Sequence, residues 1–177
     1  MKEGKKEEFL KIIDEHKKII YKIVNSYCKN QEDRKDLEQE IIIQLWNSFY
    51  KYNPNFKYST WMYRIALNVA ISFYRKEKKW MIVNDLNIEE SIYSVADEND
   101  HKIELDHNIK LLQEFIQKLN ELNKALMLLY LEERSYEEIG EILGISKTNV
   151  ATKINRLKLK FKKEFQKKLN NGSTRIE

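Results

Sequence analysis

One cysteine, one proline and four glycines in 177 residues exclude several architectures at once. With Cys28 alone, no internal disulfide and no cysteine zinc cluster can form. Cys28 lies in a helical pattern beside Tyr27, which reads as a small core residue. A β-rich fold needs many tight turns, so scarce glycine and proline leave long helices as the alternative. The longest apolar run, Ala125 to Leu131, falls far short of the roughly 20 residues that span a bilayer. Met1 to Glu8 is charged and no apolar stretch follows, so neither a secretory signal nor membrane insertion is expected, and a cytoplasmic location is. His16 has no second His or Cys at metal spacing. Neither a paired nucleophile and base nor a glycine-rich phosphate loop is recognisable. The expectation is a non-enzyme with no catalytic residues, no metal and no cofactor.

What is present is helical periodicity and sorted charge. The chain is 42% hydrophobic and 34% charged, with a formal net charge of +4. Three zones differ. In the first, residues 5–79, Phe9, Ile12, Ile13, His16, Ile20, Ile23 and Tyr27 form one helical stripe. A polar loop is expected over Asn30 to Asp33, then a helix marked by Leu37, Ile41, Leu45 and Phe49, then a break at Asn53-Pro54-Asn55. Ser59 or Thr60 can cap a third helix running to about Lys79. In the second zone, residues 80–108, periodicity fades. Trp80 to His107 holds eight Asp or Glu against one Lys and reads as a flexible acidic linker. The third zone, residues 109–169, is helical again. The fold class is therefore all-α, with two small helical domains joined by the linker.

The third zone carries the sharpest local pattern. Ser135 and Glu138 have capping-box spacing before the apolar stripe Ile139, Ile142 and Leu143. Gly144 can end that helix in the left-handed conformation, and Ser146 can cap the next. Val150, Ile154, Leu157, Phe161 and Phe165 should face inward, with Thr148, Thr152, Asn155, Arg156 and Lys163 opposite. This is a helix-turn-helix arrangement, in which one side packs on the partner helix and the other enters the major groove. Leu143 to Asn170 carries nine Lys or Arg against one Glu. A surface helix usually mixes signs, so this excess points to a polyanion partner.

In the first zone, Trp61, Arg64, Asn68, Ser72, Arg75 and Lys79 share one side of the third helix, and Tyr52, Phe56, Lys57 and Tyr58 precede it. Aromatics interleaved with cations suit single-stranded nucleic acid, where rings stack on bases and cations follow the backbone. The alternative is that Trp61 and the tyrosines close the core edge while the cations face water. On the preceding helix, Asp36, Gln39 and Glu40 share a face that could meet a basic partner, and Glu38 reads as solvated.

Two separated segments then point the same way. Asp36-Leu37-Glu38-Gln39-Glu40 with Leu45-Trp46, followed by Tyr58-Ser59-Thr60-Trp61-Met62-Tyr63-Arg64-Ile65-Ala66-Leu67-Asn68, resembles region 2 of bacterial sigma factors. Ser135-Tyr136-Glu137-Glu138-Ile139-Gly140-Glu141-Ile142-Leu143-Gly144-Ile145-Ser146 resembles their region 4. With only these regions, the chain is similar to the extracytoplasmic-function (ECF) type, from about Phe9 to Phe165. The resemblance implies an initiation factor that binds core RNA polymerase through its β′ and β subunits, recognises −10 and −35 promoter elements and promotes melting. Asp36, Gln39 and Glu40 would dock on the β′ coiled coil. Ser48, Tyr52, Phe56, Lys57, Tyr58 and Asn68 would form the pocket for a flipped −10 base. Trp61, Arg64, Arg75 and Lys79 would lie along the opening duplex. Thr148, Asn149, Thr152, Asn155 and Arg156 would face the −35 element, while Lys147, Lys153 and Lys160 would hold phosphates. The linker is similar to the segment that threads the polymerase's RNA path, and anti-sigma partners are common in this family. Asn120 stands where the family often has proline, and Ala151, Asn155 and Leu157 are also unusual.

A stand-alone helix-turn-helix regulator with a sensor or dimer domain is the rival. It predicts tight binding of the pure protein to a palindromic duplex. A small helical enzyme, and a membrane-surface helix over Lys158 to Lys168, rank below it.

Overall fold

The structure is a computed structural model that describes residues 2–83 and 102–173. Side chains are described from Gly4 to Lys76 and from His107 to Lys168. Among the described residues there are seven α-helices and no strand: α1 Lys2–Tyr27, α2 Gln31–Phe49, α3 Tyr58–Val83, α4 Lys102–Gln117, α5 Glu121–Leu131, α6 Tyr136–Leu143 and α7 Lys147–Ser173.

Helices α1, α2 and α3 pack on one another around Ile23, Leu37, Ile41, Leu45 and Met62, all fully or almost fully buried. Each such side chain contributes roughly 1.5–3 kcal/mol relative to exposure. Leu37, Ile41, Leu45 and Phe49 follow at four-residue spacing, so one side of α2 is buried along its length. Helices α4 to α7 gather around Leu126, Leu129, Ile139, Ile142, Val150 and Ile154. The two sets are not separate. Helix α3 packs on α1 and α2 and also on α5 and α6, so one core runs through both halves.

Several boundaries differ from the sequence expectations. The expected loop Asn30–Asp33 is one residue long. Asn30 is the N-cap of α2, its side-chain oxygen accepting from the Asp33 N–H at 2.7 Å, and Glu32 and Asp33 lie in a first turn whose dipole favours acids. Helix α3 starts at Tyr58, before the expected caps Ser59 and Thr60. The Trp61 N–H already donates to the Lys57 carbonyl, and Thr60 is buried instead of capping. The same helix continues to Val83, and α4 begins at Lys102, so helix enters the expected linker from both ends. Counting charge there hid the fact that acids are tolerated in a first helical turn. The rest of that linker lies outside the described residues.

The turn between α6 and α7 is tight. Ser135 and Glu138 form the expected capping box at the start of α6. At its end Gly144 is left-handed, with φ 69°, and the N–H groups of Gly144 and Ile145 both donate to the Gly140 carbonyl. The Ser146 hydroxyl then accepts from the Asn149 N–H at 3.2 Å, opening α7.

Gly140 shows how close the approach is. A Cβ added there would lie 2.7 Å from the Ile145 carbonyl oxygen, a backbone atom that cannot swing away. Alanine would gain about 1 kcal/mol of helix propensity, but the clash should dominate. Gly140→Ala is expected to lower unfolding stability by about 1–3 kcal/mol. Urea denaturation followed by circular dichroism measures it; equal or greater stability would show that the turn is loose.

Candidate nucleic-acid interface

The loop between α2 and α3 is built on itself. The Lys51 and Tyr52 N–H groups donate to the Ser48 and Phe49 carbonyls, and the Asn53 side chain accepts from the Asn55 N–H at 3.0 Å. The Tyr52 and Tyr58 rings stack at 4.4 Å, 19° apart, and the Trp61 ring meets Tyr52 edge-on at 5.4 Å. The Tyr52 hydroxyl donates to the Phe56 carbonyl. Tyr52, Tyr58 and Trp61 are half-buried, so they close the core edge, the second of the two readings. Their free ring faces are already used in part. Phe56, 43% exposed, and Lys57 stand clear of them, as do Arg64 and Asn68 on α3. Burial holds the Tyr52 phenol above its ordinary value. At Tyr58 burial does the same, with Glu8 adding to it.

Ser48 is not part of that loop cluster. Its hydroxyl donates to the Gln44 and Leu45 carbonyls at 2.8 and 3.1 Å. It lines an open groove of about 730 Å³ between α2 and α3, with Asp36, Glu40 and Gln44 on one wall and Asn68, Ser72 and Lys76 on the other. Ile65, Val69 and Phe73 form its apolar part. Asp36, Gln39 and Glu40 are all exposed, as the shared face requires, but Gln39 does not line the groove. Glu40 accepts from the Gln44 amide at 2.9 Å.

Of the cations expected along α3, Arg64 is exposed, and Arg75 reaches across to α5, its Nε donating to Glu121 at 2.7 Å. The side chain of Lys79 lies outside the described residues. On α7, Thr148, Asn149, Thr152, Asn155, Arg156 and Lys160 are exposed, Lys153 is half-buried, and Val150 and Ile154 anchor the opposite side. The Thr152 hydroxyl donates to the Thr148 carbonyl at 2.9 Å. Lys160 makes a loose 3.9 Å pair with Glu164. Lys147 pairs with Glu137 on α6 and so leans toward the turn.

A set of residues that local patterns did not single out joins the two halves. The ammonium of Lys124 lies over the rings of Tyr27 and Tyr74, and the guanidinium of Arg134 lies over Tyr63. Lys22 pairs with Glu132. A lysine within the buried run Lys124–Leu129 is the one sequence signal that could have marked the contact. Among the described residues, no group of three or more His, Cys, Asp and Glu could hold a metal, and no helix is long and apolar enough to cross a membrane.

Comparison with known proteins places these surfaces in context. Residues 12–80 match the family described as Sigma-70 region 2, and residues 109–161 the one described as Sigma-70, region 4. The chain is 30% identical to the ECF RNA polymerase sigma factor SigW of Bacillus subtilis (strain 168), over 94% of this chain and 93% of that protein. It is 32% identical to the RNA polymerase sigma factor SigV of the same organism, over 81% and 82% respectively. Among solved structures it is similar to CnrH in complex with the cytosolic domain of CnrY (TM-score 0.61, 18% identity, 89% of this chain and 87% of that one). It is also similar to the sigma factor RpoE in complex with the anti-sigma factor NepR from Bartonella quintana (TM-score 0.62, 17% identity, 91% and 96%).

The cap that sets α6 in place titrates. The Ser135 N–H holds the Glu138 carboxyl below the ordinary carboxylate range, with Arg134 and Lys57 helping. A carboxylate lowered by folding contributes stability that is complete above its unfolded value and is lost as pH falls through the folded one. Thermal unfolding should therefore fall in acid, and Glu138→Gln should flatten part of that fall. Identical pH profiles for the two proteins would show that the box carries none of it.

Proposed function

The chain belongs to the ECF RNA polymerase sigma factors, carrying their regions 2 and 4, and from that membership we propose how its surfaces divide the work of initiation. It acts with core RNA polymerase and promoter DNA to start transcription. Its contribution is binding, without a catalytic centre of its own, and its place of action is the cytoplasm, beside the polymerase. Residues 5–79 serve as the region 2 domain and 109–169 as the region 4 domain, joined by the acidic segment between them.

The exposed face of α7 carries this reading furthest. Thr148, Asn149, Thr152, Asn155 and Arg156 lie on the side opposite Val150 and Ile154, as a recognition helix requires. They read the −35 element. Lys153 and Lys160 hold phosphates there, and Lys147 does so once it leaves Glu137. At the −10 element Phe56 offers an open ring to an unpaired base, while Tyr52, Tyr58 and Trp61 form the wall behind it. Lys57, Arg64, Asn68, Arg75 and Lys79 follow the strand. Stacking worth about 1–3 kcal/mol offsets part of the cost of unstacking a base. Asp36, Gln39 and Glu40 dock on the β′ subunit, and Ser48 belongs to the rim of their groove. The solved relatives bound to CnrY and to NepR suggest that an anti-sigma partner restrains this chain as well.

Run-off transcription with purified core polymerase and genomic DNA tests the whole reading. Discrete starts that depend on the protein are expected; none would reject it. Arg156→Ala should weaken −35 recognition by about 1–3 kcal/mol if the guanidinium pairs with a guanine. Unchanged promoter preference would remove it from the readout set. Glu40→Lys should reduce association with polymerase while helicity is kept, and normal co-purification would contradict the docking role.

A further inference from the structure

Lys124 is charged by nature yet only 4% exposed. Its ammonium sits 5.4 Å from the Tyr27 ring centroid and 5.2 Å from that of Tyr74, and the two rings stand nearly perpendicular at 6.3 Å. Two ring faces meeting one cation form a socket, and such contacts gain strength when desolvated. The socket belongs to α1 and α3; its occupant belongs to α5. The Tyr27 hydroxyl also donates to the Glu121 carbonyl at 2.7 Å, closing the socket from the α5 side.

Around this point the charges of the two halves are complementary. Glu121 takes Arg75 and Glu132 takes Lys22. Glu138 lies close enough to Lys57 for that cation to lower its carboxyl. Arg75 and Lys57 are two of the cations that the proposed function assigns to the −10 strand. Acids of the second half therefore stand where a phosphate backbone would.

The contact also carries costs. Burial, and then the nearby Lys29, push the Lys124 ammonium below the ordinary lysine value. The Arg134 Nε is buried without a hydrogen-bond partner. Glu133, between Glu132 and Arg134, is left-handed at φ 57°, a conformation that a non-glycine residue adopts at a cost. An interface that leaves a donor unpaired, an ammonium desolvated and a turn strained is poised to open when a better partner arrives.

We infer that Tyr27 and Tyr74 form a cation socket on the region 2 half, that Lys124 occupies it as a latch, and that the latched chain masks its −10 cations until polymerase and promoter separate the halves. The masking part rests on the −10 assignment above; the latch does not.

The test uses the full chain without polymerase. Wild type, Lys124→Met and Glu132→Gln are compared by small-angle X-ray scattering. They are also titrated against a fluorescein-labelled oligonucleotide carrying the −10 non-template strand of a promoter located by the run-off assay. Both variants should show a larger radius of gyration. If the latched form makes up about nine-tenths of the wild type, they should bind the oligonucleotide up to about tenfold more tightly. Glu132→Gln, in a partly exposed ion pair, keeps the test open if Lys124→Met fails to fold. An unchanged radius of gyration in folded variants overturns the latch. Expansion with no gain in oligonucleotide binding overturns the masking. Failure of the −10 assignment itself shows separately, as holoenzyme whose −10 preference survives Lys57→Ala and Arg75→Ala.

Discussion

Helix α3 must satisfy two sets of apolar neighbours and water at the same time. Met62 and Ala66 are buried in the core that α3 shares with α1 and α2. Tyr63, Leu67, Ala70 and Tyr74 recur along another side, where Tyr63 meets Glu132 and Arg134 and Tyr74 meets Lys124. What remains is a strip that carries Arg64 and Asn68 into solvent. Every surface assigned to promoter or polymerase is set by this division of one helix, because each side of α3 fixes the place of a different part of the chain.

The two halves are held together by different physics from that within each half. Inside a half, aliphatic stripes meet with nothing to satisfy but volume. Between halves, cations lie on rings and carboxylates meet guanidinium and ammonium groups. Exposed ion pairs contribute little, roughly 0–1 kcal/mol each, and are screened by salt. The desolvated Lys124 and the unpaired Arg134 Nε subtract from what the rings provide. Contacts of this kind between domains permit relative motion, which a factor that must reach two separated DNA elements requires.

The departures from expectation have local causes. Asn30 was read as loop because of its polarity, yet the same side chain is an effective cap and draws α2 back to Gln31. Asn120 likewise replaces a proline by capping α5, accepting from the Asn123 N–H at 2.9 Å. Ser48 was grouped with the −10 loop by nearness in the chain. Its position on α2, at four-residue spacing from Gln44, Glu40 and Asp36, places it on the groove. The aromatic cluster at Tyr52, Tyr58 and Trp61 was legible as residues, while its use as wall or platform depended on which rings pack on each other.

The helices, their caps and the turn at Gly144 could be read from residue order, because periodicity, capping and left-handed preference act over three to five residues. The same range covers the exposed face of α7 and the acidic face of α2, so the family was recognisable from the chain alone. Tertiary structure decided the rest. The Tyr27 hydroxyl meets α5 across 94 positions and Tyr63 approaches Glu132 across 69, separations at which no local pattern carries information. Whether Arg75 faces DNA or Glu121, and whether Lys124 is solvated or enclosed by rings, depends on how preformed helices dock. That docking is set by burial of α3 on both sides, a property of the assembled core and of no single segment.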